Sequence, residues 1–316
     1  MNSLRVAFLG GGTMALRQAA ALLDAGLPRS GLVSVYDRDA AVAHAFADRF
    51  GATPMPSSRA ALQVASHVVI ATTAGSHASD AFEALTMRRG VFVEKPLALT
   101  VREGAALTIL AERLSLPLHV GLSERFHPVI RALANTLDAR RVTRIETVRN
   151  LRSMRARDCS VAMNLAVHDV DLALTLTHDG LTLDTAHTVT GLSSFHARFI
   201  GARGEAVSIA AADGASRDVR TITVTVDSTS FEGDLLAGTL SQVSMGVRTP
   251  VVVERVSGLV SQASALLSVW NGRQALGPAT ARDAFRGLAL LARAARTAHE
   301  RAHRTPENLP PFGPFG

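Results

Sequence analysis

Three consecutive glycines, Gly10-Gly11-Gly12, stand between an apolar run at residues 4–9 and an Ala/Leu-rich stretch at residues 13–25. A strand that ends in glycines and passes straight into a helix is the opening of a βαβ unit. The run fits G-x-G-x-x-A. Gly10 permits the tight turn, Gly12 lets the backbone approach a pyrophosphate, and the small Ala15 lets the helix sit close to the strand. Thr13 and Met14 open the helix, whose N-terminus points toward the phosphates. Asp37 ends the next apolar run, 25 residues beyond Gly12, where an acid bonds the adenosine ribose of NAD. An acid there repels a 2′-phosphate, so NAD is expected over NADP. Arg38 next door is the residue able to reach such a phosphate. The plain alternative is a tight turn in an α/β domain that holds no dinucleotide.

The first 120 residues continue the alternation. Strands are expected at residues 32–36, 67–72, 91–93 and 118–120, and helices at 39–50, 76–85 and 100–114. Such alternation indicates a parallel sheet covered on both faces, a doubly wound α/β domain over residues 1–121. The character then changes. Helices are expected at 124–137 and 161–177, a strand at 142–148, and a β-rich stretch at 185–253, followed by helices at 257–270 and 279–303. Residues 122–304 therefore read as an α+β domain with a mostly antiparallel sheet. The last twelve residues, 305–316, form a Pro-rich tail.

Composition excludes several classes. The chain has 316 residues, 47% hydrophobic and 19% charged, enough apolar material for a sizeable core. No apolar run reaches the roughly 18 residues of a membrane helix, and the opening apolar stretch is too short for a signal-peptide core, so a cytoplasmic protein is expected. A lone Cys159 excludes an internal disulfide framework and a cysteine-based zinc site, and the 11 histidines show no pair with metal-ligand spacing, so no metal is expected. The sequence pI of about 10.9 looks like a nucleic-acid binder's. Of the 33 basic residues, however, Lys95 is the only lysine, and the net charge is a modest +6. Almost nothing titrates between neutrality and the arginine range, which alone drives the pI up. The arginines are scattered among acids, so no nucleic-acid partner is expected.

That single lysine is informative. In a chain with 32 arginines, Lys95 marks a place where a guanidinium does not serve. An ammonium can be desolvated and exchange a proton at a reacting centre. Lys95 follows the expected strand 91–93, at the end where open α/β sheets place ligands. A second candidate lies in the expected helix 161–177. Asn164 and His168 are four apart and share a face, and histidine is the usual group for moving a proton near pH 7. The bland readings are a surface lysine and a partly buried helix histidine.

With these residues placed, the chain resembles the glucose–fructose oxidoreductase/inositol dehydrogenase family of NAD(P)-dependent oxidoreductases over nearly its whole length. The resemblance is carried by residues 10–15, by Ile70-Ala71-Thr72-Thr73 followed by His77, and by Glu94-Lys95-Pro96. It continues through residues 120–128 and His168-Asp169-Val170-Asp171. It implies a Rossmann domain followed by a domain whose open sheet often mediates oligomers, here a dimer or tetramer. It also implies that Lys95 binds the reacting hydroxyl near the nicotinamide, that His168 is the acid/base, and that Thr72, Thr73, His77, Glu94 and Lys95 line the cofactor. Within the family the chain is similar to UDP-N-acetylglucosamine 3-dehydrogenase-type members. The shared features are Glu124-Arg125-Phe126-x-Pro128, the run from Arg155 to Asp171, Ala215-Ser216-Arg217 and Asp234-Leu235-Leu236.

Three positions depart from the family pattern. Asn164 stands where Asp is common, and an amide carries no charge to raise the histidine's basicity. His127 replaces an Asn at a substrate position, and Thr73 replaces a proline beside the cofactor. The expected reaction moves a hydride between NAD and a secondary alcohol of a sugar or nucleotide sugar, such as the 3-hydroxyl of UDP-N-acetylglucosamine. Asn164 would orient a hydroxyl, and Arg125 or Arg155 would meet a diphosphate. Two other functions stay open: a catalytically silent NAD-binding sensor, and a reductase of an imine, ketone or biliverdin-like substrate.

Overall fold

The computed structural model describes residues 4–137, 141–152, 159–177, 180–187, 193–273 and 277–304. The first sheet comprises β1 (Val6–Leu9), β2 (Leu32–Tyr36), β3 (Thr53–Pro54), β4 (His67–Ile70), β5 (Gly90–Val93) and β6 (Leu118–Val120). Between them run α1 (Thr13–Asp24), α2 (Ala40–Phe50), α3 (Ser58–Gln63), α4 (His77–Thr86) and α5 (Val101–Leu114). The six strands are parallel in the order β3-β2-β1-β4-β5-β6, so the winding reverses between β1 and β4. That reversal opens a crevice at the carboxyl ends of the strands. Every residue of β1 and β5 is buried, because helices cover both faces. Local signals agree with the topology: Thr100 and Glu103 close a capping box on α5, and Asp39 caps α2.

The second sheet follows α6 (Pro128–Leu137). It contains β7 (Val142–Leu151), β8 (Leu181–His187), β9 (Ser194–Gly201), β10 (Ala206–Asp213), β11 (Val219–Val226), β12 (Thr229–Asp234), β13 (Thr239–Ser244) and β14 (Val247–Val251). Their order is β14-β13-β12-β11-β7-β10-β9-β8, antiparallel except for the pair β7 and β10. A π-helical turn at Ala162–Ala166 runs into α7 (Val167–Thr177), which is buried along nearly its whole length.

Three expectations need correction. The helix expected at 124–137 is broken, because the residue before a proline is pushed out of the α region. His127 is extended, with a 3₁₀ turn at Ser123–Phe126 before it and α6 after it. The stretch between α2 and β4, for which no element is expected, holds β3 and α3, both too short to show a period. Nor does the whole of 122–304 stay with the second sheet. The helix α8 (Gly258–Trp270) places Ala263, Leu266, Leu267 and Trp270 in one core with Ala15, Ala19 and Leu22 of α1. The short strand β15 (Ala279–Thr280) pairs antiparallel with β6, and α9 (Ala281–Arg304) lies against α5. A Cβ at Gly104 of α5 would lie 2.7 Å from Leu288 of α9, which sets how closely these helices meet.

The returning helix creates an acid-sensitive contact. Trp270 stacks on His67 with ring centroids 4.6 Å apart, and burial lowers the His67 imidazole from 6.5 to about 4. The folded state holds the ring neutral, so as pH falls below about 6.5 the unfolded chain takes up the proton first. Stability is expected to fall as pH drops from 6.5 toward 4 and to level off below that. Urea unfolding midpoints measured across this range should fall less steeply in His67→Asn than in the parent chain.

Candidate active site

The crevice begins where β1 ends. Gly10 has φ +89°, and a Cβ there would lie 2.6 Å from the Ala71 carbonyl oxygen, so only glycine fits. Gly12 is the N-cap of α1 and offers no side-chain cap, and a Cβ on it would meet nothing within 4 Å. The first-turn N–H groups of α1 thus face open space beside exposed Gly12 and Thr13, with Ala15 fully buried behind them. This arrangement fits a pyrophosphate. Asp37 sits beside it, half-buried, with one carboxylate oxygen accepting from Gly11 N (2.8 Å) and the other from Asp39 N (2.9 Å). It shapes the glycine turn as well as offering remaining lone pairs to a ribose. Exposed Arg38 lies near enough to Asp80 to act on its charge, and Thr72 Oγ1 donates to Asp80 at 2.7 Å.

Beyond β4, Thr73 is exposed and its hydroxyl lies 3.5 Å from that of Ser76. His77 is buried, with Nδ1 2.7 Å from the Pro96 carbonyl oxygen and Nε2 3.1 Å from that of Thr72. Both ring nitrogens are engaged by main chain, so His77 ties the end of β4 to the turn that carries Lys95. Glu94 is buried under the crevice and accepts a 2.7 Å bond from Gln18 Nε2 of α1. Burial pushes its carboxyl above the usual range, against that bond and the charge of Lys95. Gln18 escaped the sequence reading; the signal was a lone amide on the otherwise apolar inner face of α1.

Lys95 leaves the first sheet and reaches the second domain. Its Nζ donates to the Asn164 carbonyl oxygen (2.9 Å) and to Asn164 Oδ1 (2.5 Å), in the π-helical turn. Such turns recur at functional sites. His168, one turn on, is 9% exposed, and its Nδ1 is buried with no hydrogen-bond partner among the described residues. Its pKa lies well below the ordinary value, first because of burial and then because of the Lys95 charge, with Glu124 opposing and Arg149 and Arg220 adding to the depression. Lys95 and Asn164 are therefore in contact, with His168 four residues further along the chain.

Around them is a charge ladder that the sequence reading missed. Arg149 of β7 and Arg220 of β11 are direct cross-strand partners. Two cations placed opposite each other repel unless an anion intervenes. Glu124 supplies it, accepting from Arg220 Nη2 at 2.5 Å on each oxygen and from Arg149 Nη1 at 3.4 Å. Arg149 also forks onto Asp169, at 2.8 and 3.0 Å. Burial alone would raise the Glu124 carboxyl, but Arg149, His168 and Arg220 together pull it down to about 2. His127 is half-buried beside this group, and burial lowers its imidazole as well.

Arg125 is placed differently from expectation. Its guanidinium forks onto Asp171 of α7 (2.7 and 2.6 Å) and approaches Asp283 of α9 at 3.4 Å. The second aspartate of the His-Asp-x-Asp run captures it, so it ties the 3₁₀ turn to two helices. Arg155 lies outside the described residues. Among the described residues no group of three His, Cys, Asp or Glu side chains is arranged to hold a metal ion, and no helix is long and apolar enough to cross a membrane.

Residues 4–122 match the family model described as "Oxidoreductase family, NAD-binding Rossmann fold", named for the glucose–fructose oxidoreductase/inositol dehydrogenase group. The match spans the Rossmann domain and less than half of the chain. Among curated relatives, UDP-N-acetylglucosamine 3-dehydrogenase of Acidithiobacillus ferrooxidans is 32% identical over 149 residues, 47% of this chain and 47% of that protein. Glucose-6-phosphate 3-dehydrogenase of Bacillus subtilis is 26% identical over 133 residues, 42% of this chain and 37% of that protein. The matched region thus spans about half or less of each curated relative. The solved structure of the Acidithiobacillus enzyme superposes with a TM-score of 0.87 at 23% identity, covering 95% of this chain and 99% of that one. At that identity the likeness establishes the fold of both domains.

Proposed function

We propose that this chain is an NAD-dependent oxidoreductase that moves a hydride between a secondary alcohol of a sugar or nucleotide sugar and the nicotinamide. The 3-hydroxyl of UDP-N-acetylglucosamine is the first candidate. The observation that carries the reading is Lys95, the chain's single lysine, reaching from the end of β5 to the π-helical turn before His168. Bound NAD supplies the hydride acceptor. The open N-terminus of α1 holds its pyrophosphate, and Asp37 bonds the adenosine ribose, which favours NAD over NADP. Lys95 exchanges its bonds to Asn164 for the substrate hydroxyl and stabilises the negative charge that grows on that oxygen. His168, kept neutral by burial and neighbouring cations, takes the hydroxyl proton. Asn164 orients a neighbouring hydroxyl. Assembly as a homo-oligomer and residence in the cytoplasm belong to the same reading.

The silent NAD-binding alternative draws on one feature, that Asn164 occupies the Lys95 ammonium through two bonds. One experiment separates the two. The purified protein is incubated with NAD and UDP-N-acetylglucosamine, then with other sugars, while the NADH absorbance band is followed. Growth of that band supports the dehydrogenase. NAD binding with no turnover across the sugar panel would favour the silent binder. In Asp37→Asn, loss of a charged hydrogen bond should weaken NAD by roughly 10- to 100-fold and narrow its advantage over NADP, as titration calorimetry would show.

A further inference from the structure

The two facing arginines beside His168 are unequally used. Arg149 is spent: Nε and Nη2 bond Asp169, Nη1 bonds Glu124, and its side chain is 6% exposed. Arg220 touches Glu124 through Nη2 alone. Its Nε is buried without a partner, and Nη1 makes no hydrogen bond among the described residues. The side chain is 23% exposed. A guanidinium has five N–H donors, so Arg220 keeps an open end. That end lies near the His168 segment: Glu124 bridges Arg220 to Arg149, which forks onto Asp169, the residue after His168.

We propose that Arg220 reads a negative charge on the substrate: its open Nη1 end takes an oxyanion, phosphate or carboxylate, carried by the sugar whose hydroxyl meets Lys95 and His168. This rests on the sugar-alcohol reading above and narrows it to anionic sugars. The planar fork of a guanidinium matches both oxyanions, and a carboxylate behind it fixes its direction. Glu124 is that carboxylate, anchored from the other side by Arg149. Of the two arginines expected to meet a diphosphate, Arg125 is occupied by Asp171 and Arg155 lies outside the described residues. If Arg220 served only to neutralise Glu124, neutral and anionic sugars would bind alike.

The test is calorimetric titration of the intact protein, first with NAD and then, at saturating NAD, with matched ligands. Glucose 6-phosphate, glucuronate and UDP-N-acetylglucosamine are compared with glucose and N-acetylglucosamine. The expected result is that at least one anionic ligand binds tenfold or more tightly than its neutral counterpart, and that added salt erodes the advantage. In Arg220→Gln the advantage should shrink to about twofold with NAD affinity unchanged. The phosphate, carboxylate and diphosphate arms identify which oxyanion is read. Equal binding of neutral and anionic sugars by the parent protein overturns the proposal without any variant, as does an advantage that survives Arg220→Gln. If Arg220→Gln does not fold because Glu124 is left unshielded, Glu124→Gln/Arg220→Gln removes both charges and must lose the advantage equally. Failure of NAD to bind in the first titration overturns the oxidoreductase reading itself, and this proposal with it.

Discussion

Replacing Lys95 by alanine is expected to lower the rate of NADH formation about 10²- to 10⁴-fold while leaving NAD affinity within about threefold. The ammonium is the donor that crosses from the first sheet to the π-helical turn, 2.5 Å from Asn164 Oδ1, and no other lysine exists to take its place. Lys95→Arg should fail nearly as badly. A guanidinium is longer, planar and permanently charged, and the position already holds a compact cation against a carbonyl and an amide. Initial rates and calorimetric NAD titration on the same preparations check both statements. A Lys95→Ala enzyme with near-normal rate would show that another group polarises the hydroxyl.

Arg149→Met should destabilise the fold by about 3–5 kcal/mol, the cost of breaking a buried ion pair from one side. Asp169, buried, and Glu124, 11% exposed, would lose their shared partner. The effect is pH-dependent with a definite sign. In the parent chain the Glu124 carboxyl titrates at about 2 rather than 4.5. Its contribution to stability is complete above about 4.5 and is lost as pH falls toward about 2. Without Arg149 that depression weakens, so the loss is smaller and levels off at a higher pH. Urea denaturation at neutral pH measures the first effect, and thermal midpoints between pH 5 and 2 measure the second. A shift below about 1 kcal/mol at neutral pH would mean that Arg220 alone balances the two acids.

How far the sequence reaches depends on whether a feature is local. The glycine turn, the strand ends at Asp37 and Lys95, and the capping of α5 are set by neighbours within a few residues, and the structure has them where the pattern places them. Asn164 and His168 are legible for the same reason, although the π-helical turn that joins them is not: nothing in their spacing distinguishes a five-residue hydrogen-bond step from a four-residue one. The charge ladder is invisible in one dimension. Arg149 and Arg220 face each other only through the register of β7 and β11, fixed by pairing across 71 positions of chain. Arg125 misleads in the opposite sense, since its place beside the family-like turn is local but its partner Asp171 is chosen by helix packing. The division at residue 122 likewise follows the change in pattern, while α8, β15 and α9 return to the first sheet through apolar faces whose partner periodicity does not name.

The most direct test of the central claim is titration of the purified protein with NAD and with NADP. The glycine turn, the uncapped start of α1 and the acid at the end of β2 require saturable binding of NAD, tighter than that of NADP. Binding of neither dinucleotide would contradict the account from Gly10 onward.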